Sequence, residues 1–321
     1  MKPITCFVII ILQLLVIKVD AQIRVGNGPD PVKKYEEEKA DNDTSFKAQK
    51  GFSEMGFIAG FSGYLGDLGG NKGKAAYYLK DYNAKYSKGL VGAFTTYTLS
   101  KTFELRGNFA FTELQADDAS IINQGDQEKW RLLRNLNFKS KILEATAIAD
   151  IYPLYAFTKL NRKSGVPKIR PFVSMGVGVF HFNPYIFQNG SWFEAKPLKL
   201  EGQGMSQVLF VKDYATTAIN FNYGFGFKYK FSNTFYGAFE MNHRKTFTDY
   251  IDDVSGVYID KNFFTSNLPK DKADIARDIY NRHLKGPVGS TPGLERGNRA
   301  DKDAYFSIQI RAVLVINYSD Y

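Results

Sequence analysis

Four aspartates in one short segment are the residues of this chain that could most readily hold a metal ion. Residues 246–260 read TFTDYIDDVSGVYID, and clustered carboxylates supply the oxygen ligands that Ca²⁺ prefers. The spacing and the closing glutamate of an EF-hand loop are absent, so a solvated charged loop is the simpler interpretation and a bound Ca²⁺ stays the alternative. The four side chains are Asp249, Asp252, Asp253 and Asp260.

A glycine-rich run could cradle a phosphate group. Residues 63–74 read GYLGDLGGNKGK and end in a Gly-Lys pair. A phosphate-binding loop of this kind needs a glycine five positions before the pair and a serine or threonine after it. Leu68 and Ala75 occupy those two positions, so the motif fails. The run is interpreted as a strand end followed by a turn, and no nucleotide cofactor is expected.

Few residues of the chain could act as nucleophiles or as general bases. The only cysteine, Cys6, lies in an apolar N-terminal segment, and the three histidines, His181, His243 and His283, lie on separate segments. A lipid-hydrolysing serine–histidine–carboxylate site would need a serine beside one histidine, and none pairs recognisably with His243. Neighbouring residues also build no His/Glu metal site. We therefore expect no catalytic residues, no metal and no cofactor, with lipid hydrolysis as the weakest alternative.

The alternation of apolar and polar side chains indicates that the elements positioning these candidate residues are β-strands. Residues 219–231 read INFNYGFGFKYKF, in which every odd position is large and apolar and every even position is polar or small. A period of two over so long a run predicts a β-strand with two different faces. An aromatic row opposed by small and charged residues fits a strand with lipid on one side and a polar barrel interior on the other.

The whole chain repeats this pattern. Connections of alternating short and long length separate the strand candidates, as in outer-membrane barrels with short periplasmic turns and long external loops. The fold expected is all-β, an eight-stranded antiparallel transmembrane β-barrel of the outer membrane with long external loops. The strand candidates are residues 51–62, 90–97, 103–114, 142–155, 169–182, 217–231, 234–245 and 304–317.

The same alternation predicts which way each side chain points. Eight strands enclose only enough room for side chains, so a plugged interior with paired charges is expected. The residues expected to face lipid are Met55, Phe57, Phe61, Val173, Met175, Val177, Val179, Ile308, Ile310, Ala312, Leu314 and Ile316. The residues expected to face inward are Glu54, Glu104, Arg106, Glu144, Asp150, Lys228, Lys230, Glu240, Arg244 and Arg311.

The N-terminal residues predict export. Residues 1–21 read as a signal peptide with Lys2, an 11-residue apolar core and small residues before the cleavage site. Residues 22–50 are charged and poor in large apolar groups, which indicates a periplasmic N-terminal segment, and 51–321 form the barrel. The terminal Tyr321 is typical of outer-membrane barrels. A net charge of +9 in an exported chain suits anionic lipid, and nucleic acid is not expected.

Four segments together resemble one family. They are FIAGFSGYLGDLGG at 57–70, RPFVSMGVGVFHFNPY at 170–185, LEGQGMS at 200–206 and HRKTFTDYIDDVSGVYID at 243–260. They look like the PorG-like outer-membrane barrel of the Bacteroidetes type IX protein secretion system. The family motifs fall on Tyr64, Gly66, Asp67, Phe182, Asn183, Pro184, Glu201, Gly202, Gln203, Gly204, Asp249, Tyr250, Asp252 and Asp253.

This resemblance implies a structural role. PorG-like proteins are thought to contact a periplasmic ring built from a lipoprotein and its partner, in a machine that exports proteins and supports gliding motility. The motif residues would lie at strand-to-loop transitions on the external rim and would fix the long loops through glycine turns and carboxylate hydrogen bonds. Loops that face outward cannot meet a ring in the periplasm. The contact with the ring would therefore be made by residues 22–50 and by the short turns, above all residues 159–168. The alternative function is a passive small barrel of OmpA or OmpW type, an adhesin or a minor channel.

Overall fold

A computed structural model describes residues 51–69, 83–100, 102–121, 126–154, 168–209, 211–232, 234–284 and 291–316. The expected signal peptide, the charged segment 22–50, most of the turn 159–168, the end of the glycine-rich run and Tyr321 lie outside these residues. The strands are β1 (Gly51–Leu65), β2 (Lys88–Thr98), β3 (Phe103–Asp117), β4 (Asn137–Ile151), β5 (Ile169–Gln188), β6 (Ser191–Glu194), β7 (Thr217–Lys230), β8 (Phe235–Thr246) and β9 (Ala304–Val315).

Eight of these strands form a closed antiparallel barrel. Each neighbouring pair along the chain is hydrogen-bonded, and β1 pairs with β9 to close the ring. The short β6 stands outside the ring and pairs only with the end of β5. Burial alternates along the strands, with apolar residues outside and polar residues inside. The predicted transmembrane barrel is thereby confirmed.

The outward apolar belt has the height of a membrane. On β7 the outward residues run from Ile219 to Tyr229, and at the usual strand rise and tilt this spans about 25 Å.

Glycines on the inner face leave room for large side chains. A Cβ on Gly226 would lie 2.7 Å from the ring of Phe172. None of the helices in the described part of the chain is long and apolar enough to cross a bilayer.

The bounds of strands β4 and β5 differ most from the sequence prediction. β4 begins at Asn137 instead of residue 142, and β5 continues to Gln188 instead of ending at 182. The added residues pair with each other, Lys139 with Tyr185 and Lys141 with Asn183. The outward side chains of these two rows are polar, so the apolar alternation that defined the predicted ends stops before the strands do.

The connections differ sharply between the two ends of the barrel. At one end, the turn end, residues 99–102, 152–168 and 231–234 join the strands. At the other end, the lid end, the loops are long and contain helices α1 (Asp126–Arg134), α2 (Asn262–Asn267) and α3 (Lys270–Tyr280). We call the described residues of loops 118–136, 189–216 and 247–303 the lid. The lid has its own apolar core, which includes Leu200, Tyr258, Phe264, Ala276 and Ile279.

Candidate functional site

An ion pair crosses the middle of the barrel. Arg106 on β3 donates to Glu240 on β8 at 2.6 Å, and these strands lie four steps apart around the ring in either direction. Arg106 also donates two hydrogen bonds to the carboxylate of Asp150 on β4, at 2.8 and 3.0 Å. Arg311 on β9 lies 3.3 Å from Glu240 and 3.6 Å from Asp150. Because the pair spans opposite walls, these four side chains fill the lumen at this level.

The remaining lumen charges are also paired. Lys228 contacts Glu54 at 2.8 Å and Glu104 at 3.0 Å, and Arg244 contacts Glu144 at 2.9 Å. Burial of a charge is tolerated when it is paired and hydrogen-bonded. Lys228 and Arg244 meet both conditions, whereas Arg311 is paired without a hydrogen bond among the described residues. Of the inward residues predicted from sequence, all except Lys230 are buried, and Lys230 is half-buried at the end of β7.

A single arginine joins three loops at the lid end. Arg134 donates to both carboxylate oxygens of Asp118, at 2.8 and 3.0 Å, within its own loop. It also donates to the backbone oxygens of Asp67, at 2.7 Å, and Arg296, at 2.6 Å. Asp67 Oδ2 in turn accepts from the backbone N–H of Asn298. The loop after β1 is thus fixed to the lid through the motif residue Asp67.

The EGQG motif connects the two longest loops. Glu201 Oε1 accepts from the Ser255 backbone N–H and from Arg296, both at 2.9 Å. Gly202 and Gly204 have φ values of 72° and 71°, a left-handed conformation that favours glycine. Gln203 Oε1 accepts from the Glu201 backbone N–H at 3.1 Å. These residues hold loop 189–216 in contact with loop 247–303.

Tyr64 lies between two carboxyl groups at the base of the lid. Its hydroxyl oxygen is 2.6 Å from Asp252 Oδ2 and 2.5 Å from Asp303 Oδ1. A hydroxyl has one hydrogen, so one of the two carboxyls must carry a proton and donate to the phenol oxygen. Burial raises the pKa of Asp303 to about 7 and that of Asp252 well above its ordinary value. A Cβ on Gly66 would lie 2.2 Å from this hydroxyl, so the motif glycine makes the approach possible.

A stack of aromatic rings supports a third buried carboxyl. Tyr214 lies parallel to Tyr250 at 4.4 Å and to Phe182 at 6.2 Å between ring centroids. The Tyr214 hydroxyl donates to Asp253 Oδ1 at 2.7 Å. Burial raises the pKa of Asp253 to about 7, although the nearby guanidinium of Arg296 acts in the opposite direction. Phe182 and Asp253 therefore join the barrel rim to the lid.

The motif residue Asn183 has a different position from its neighbours. Phe182 and Pro184 are buried on the inner face of β5, whereas Asn183 is half-buried on the outer face. The expectation that all three residues lie at the end of a strand is wrong, because β5 continues past them to Gln188. Asn183 Nδ2 donates to the Tyr185 hydroxyl, also outward, at 3.1 Å.

The aspartates of residues 246–260 do not converge on one point. Asp252 contacts Tyr64, Asp253 contacts Tyr214, and Asp260 accepts from the Asn262 backbone N–H at 2.9 Å. Burial raises the pKa of Asp249 to about 9, with the Asp303 carboxyl as the next cause. Within the described ranges, no group of three or more His, Cys, Asp or Glu side chains is placed to hold a metal ion.

The histidines are also dispersed. His181 contacts the Thr217 hydroxyl at 3.3 Å, His243 stacks on Tyr223 at 4.9 Å, and His283 lies 5.5 Å from the ring of Trp130. His181 and His243 lie on barrel strands, and His283 lies in the lid. Their separation offers no shared site for acid–base chemistry.

No protein-family model and no curated protein matches the chain. Among solved structures, Neisserial surface protein A has 9% identity and a TM-score of 0.35, covering 83% of this chain and 97% of that one. Ail of Yersinia pestis has 8% identity and a TM-score of 0.33, covering 83% and 99%. The N-terminal β-barrel domain of Pseudomonas aeruginosa OprF has 13% identity and a TM-score of 0.27, covering 83% and 100%. At these values the likenesses carry no argument about function.

Proposed function

We propose that this protein is a non-enzymatic outer-membrane barrel that serves as a component of a type IX protein secretion machine of the gliding-associated kind. The observation that favours a scaffold over a pore is the Arg106–Glu240 pair, which joins opposite walls of the lumen at 2.6 Å. A barrel filled by paired charges presents its surfaces to partners and does not transport solutes through its interior. The assignment to type IX secretion comes from the motif resemblance.

The proposed orientation places the lid outside the cell and the turn end in the periplasm. Short turns on the periplasmic side and long loops outside are the rule for bacterial outer-membrane barrels. Residues 22–50 precede β1, so in this proposal they and the short turns are the periplasmic parts that would contact the ring lipoprotein and its partner. The lid, in this proposal, covers the outer mouth.

Recovery of partners from native envelopes tests the proposal. The tagged full chain is expected to bring down a periplasmic ring lipoprotein, and a chain without residues 22–50 is expected to lose it. Membrane insertion of the shortened chain must be verified first, by its folded β-sheet spectrum in the outer-membrane fraction. If the inserted full chain recovers no ring component, the secretion proposal is wrong.

A passive barrel of OmpA or OmpW type is the second candidate. Its support is the size of the lid, since the described residues of loop 247–303 include two helices that could bind a surface. Reconstitution in planar bilayers distinguishes its channel form, because steady solute flux would contradict a filled lumen. Adhesion of cells that display the barrel, compared with cells that display it without α3, tests the adhesin form.

A further inference from the structure

A polar grid lies on the outer wall of the barrel, directly beside the apolar belt. Two cross-strand rows form it, and each row contains one lysine of β4. The first row is Gln115, Lys139, Tyr185 and Glu194, and the second is Glu113, Lys141 and Asn183. The β4 and β5 residues of the grid lie beyond the predicted ends of those strands.

The boundary between grid and belt is abrupt. Two rows from the Lys141 row towards the middle of the membrane, the outward residues are all apolar: Phe109, Ala145, Val179 and Ile219. The single row between contains Phe111, Leu143, His181 and Thr217. Because hydrocarbon covers the belt, the grid must lie in the headgroup layer at the lid end.

The grid holds one of its cations in place. Lys139 Nζ lies 4.1 Å from the ring centroid of Trp192 on β6, and Trp192 packs against Phe187 at 5.2 Å. An indole at this height is typical of the membrane interface, and the cation–π contact orients the ammonium along the wall. Lys141, in the next row, is exposed.

Neutral donors and two carboxylates complete the surroundings. Tyr185 accepts a hydrogen bond from Asn183, so the phenol hydrogen remains to donate to another group. Glu113 lies beside Lys141 in register and 3.8 Å from Lys88, which offsets its charge. Glu194 is exposed at the edge of the grid. The two lysines and the phenol therefore face the headgroup layer as a group of hydrogen-bond donors.

We propose that this grid binds the anionic headgroup of a lipid in the leaflet at the lid end, with Lys139, Lys141 and Tyr185 as donors to its phosphate. Because Lys88 offsets Glu113, the two lysines outweigh the remaining Glu194, and this excess positive charge favours an anionic occupant. Position favours a lipid, because the donors lie where the phosphates of a bilayer lie, beside a belt that holds the acyl chains. A lysine near an anionic membrane surface strengthens binding about fivefold. The proposal does not depend on the secretion role.

Tryptophan fluorescence can measure this binding because the chain has two tryptophans. Trp130 lies in the lid, so the Trp130→Phe variant leaves Trp192 as a single reporter at the grid. The variant is reconstituted in phosphatidylcholine vesicles with increasing phosphatidylglycerol whose acyl chains are brominated, and in matched vesicles with brominated phosphatidylcholine. We expect phosphatidylglycerol to quench Trp192 at a several-fold lower mole fraction.

The lysine variants decide the cause of this preference. Lys139→Gln with Lys141→Gln should remove the preference, at about fivefold per lysine. The matched control is Lys245→Gln, because Lys245 is outward and exposed at the same end but has the apolar register neighbours Phe221 and Ala304. If the double variant fails to insert, the exposed Lys141 is replaced alone.

Three results would overturn the proposal. The first is equal quenching by the two brominated lipids, and the second is an equal loss of preference in the Lys245 control. The third is a shift of Trp192 emission by inorganic phosphate in pure phosphatidylcholine vesicles, which would make the site one for free phosphate. The lipid site is supported if the Lys245 control keeps the preference for phosphatidylglycerol, the double variant loses it, and inorganic phosphate has no effect.

Discussion

Replacing Asp253 by asparagine should stabilise the protein at neutral and alkaline pH. Asp253 is fully buried, and among the described residues its Oδ2 has no hydrogen-bond partner, while Oδ1 accepts from Tyr214. Its φ of 61° is left-handed, a conformation that asparagine also tolerates. Asparagine keeps the acceptor for Tyr214 and removes the ionisable group, so the substitution changes charge with little change of shape.

The sign and size of the effect follow from the pKa of Asp253. Burial raises it from 3.8 to about 7, so the folded protein holds this proton more tightly than the unfolded chain. The stabilisation is complete below the unfolded pKa and is lost as pH rises through the folded one. At about 1.4 kcal/mol per pKa unit, the loss is on the order of 4 kcal/mol. Asp253→Asn avoids this loss, so its advantage should grow with pH and level off above about pH 7.

Urea unfolding in detergent micelles, followed by circular dichroism between about pH 4 and pH 9, measures this difference. The relevant quantity is the free energy of unfolding of Asp253→Asn minus that of the parent, because other lid carboxyls titrate in both proteins. Asp274→Asn, on the exposed face of α3, is the matched control and should show no such trend. A difference independent of pH, or one that falls as pH rises, would refute the reasoning.

Three further substitutions test other parts of the structure. Arg106→Gln leaves two carboxylates of the lumen without their main partner and should lower the free energy of unfolding by about 3–5 kcal/mol in the same titrations. Gly66→Ala places a methyl group within 2.2 Å of the Tyr64 hydroxyl and should loosen the lid, with faster proteolysis of residues 247–303 while the barrel strands stay protected. Lys270→Ala removes an exposed pair with Asp274 and should leave both measurements unchanged.

The barrel was predictable because its signal is local. A period of two in residues 219–231 fixes which side chains face lipid, and one strand of this kind is repeated eight times. Glu104 and Arg106, two residues apart, had to face the same side, and both are buried in the lumen. Which charge pairs with which could not be predicted, because the Arg106–Glu240 contact joins strands that are far apart in sequence.

The lid was less predictable than the barrel. Its residues show no alternation, and the roles of Asp67, Arg134 and Arg296 depend on contacts between three separate loops. The motif glycines gave a partial signal, since Gly202 and Gly204 do adopt left-handed turns. The outward grid could not be predicted, because polar residues beyond an apolar run indicate the end of a strand. In the structure Lys139 and Lys141 nevertheless belong to β4.

The two polar regions of the molecule should respond differently to pH. The buried strand residues comprise five cations and five anions, so the lumen is balanced. The lid and the loop after β1 instead bury carboxyls whose pKa is raised by burial, in several cases to between about 6 and about 9. Each of them stabilises the lid in its protonated form, and this stabilisation is lost as pH rises towards the folded pKa. Alkaline pH should therefore open the lid before the barrel unfolds, with proteolysis confined to the long loops. The carboxyls are Asp67, Asp249, Asp252, Asp253 and Asp303.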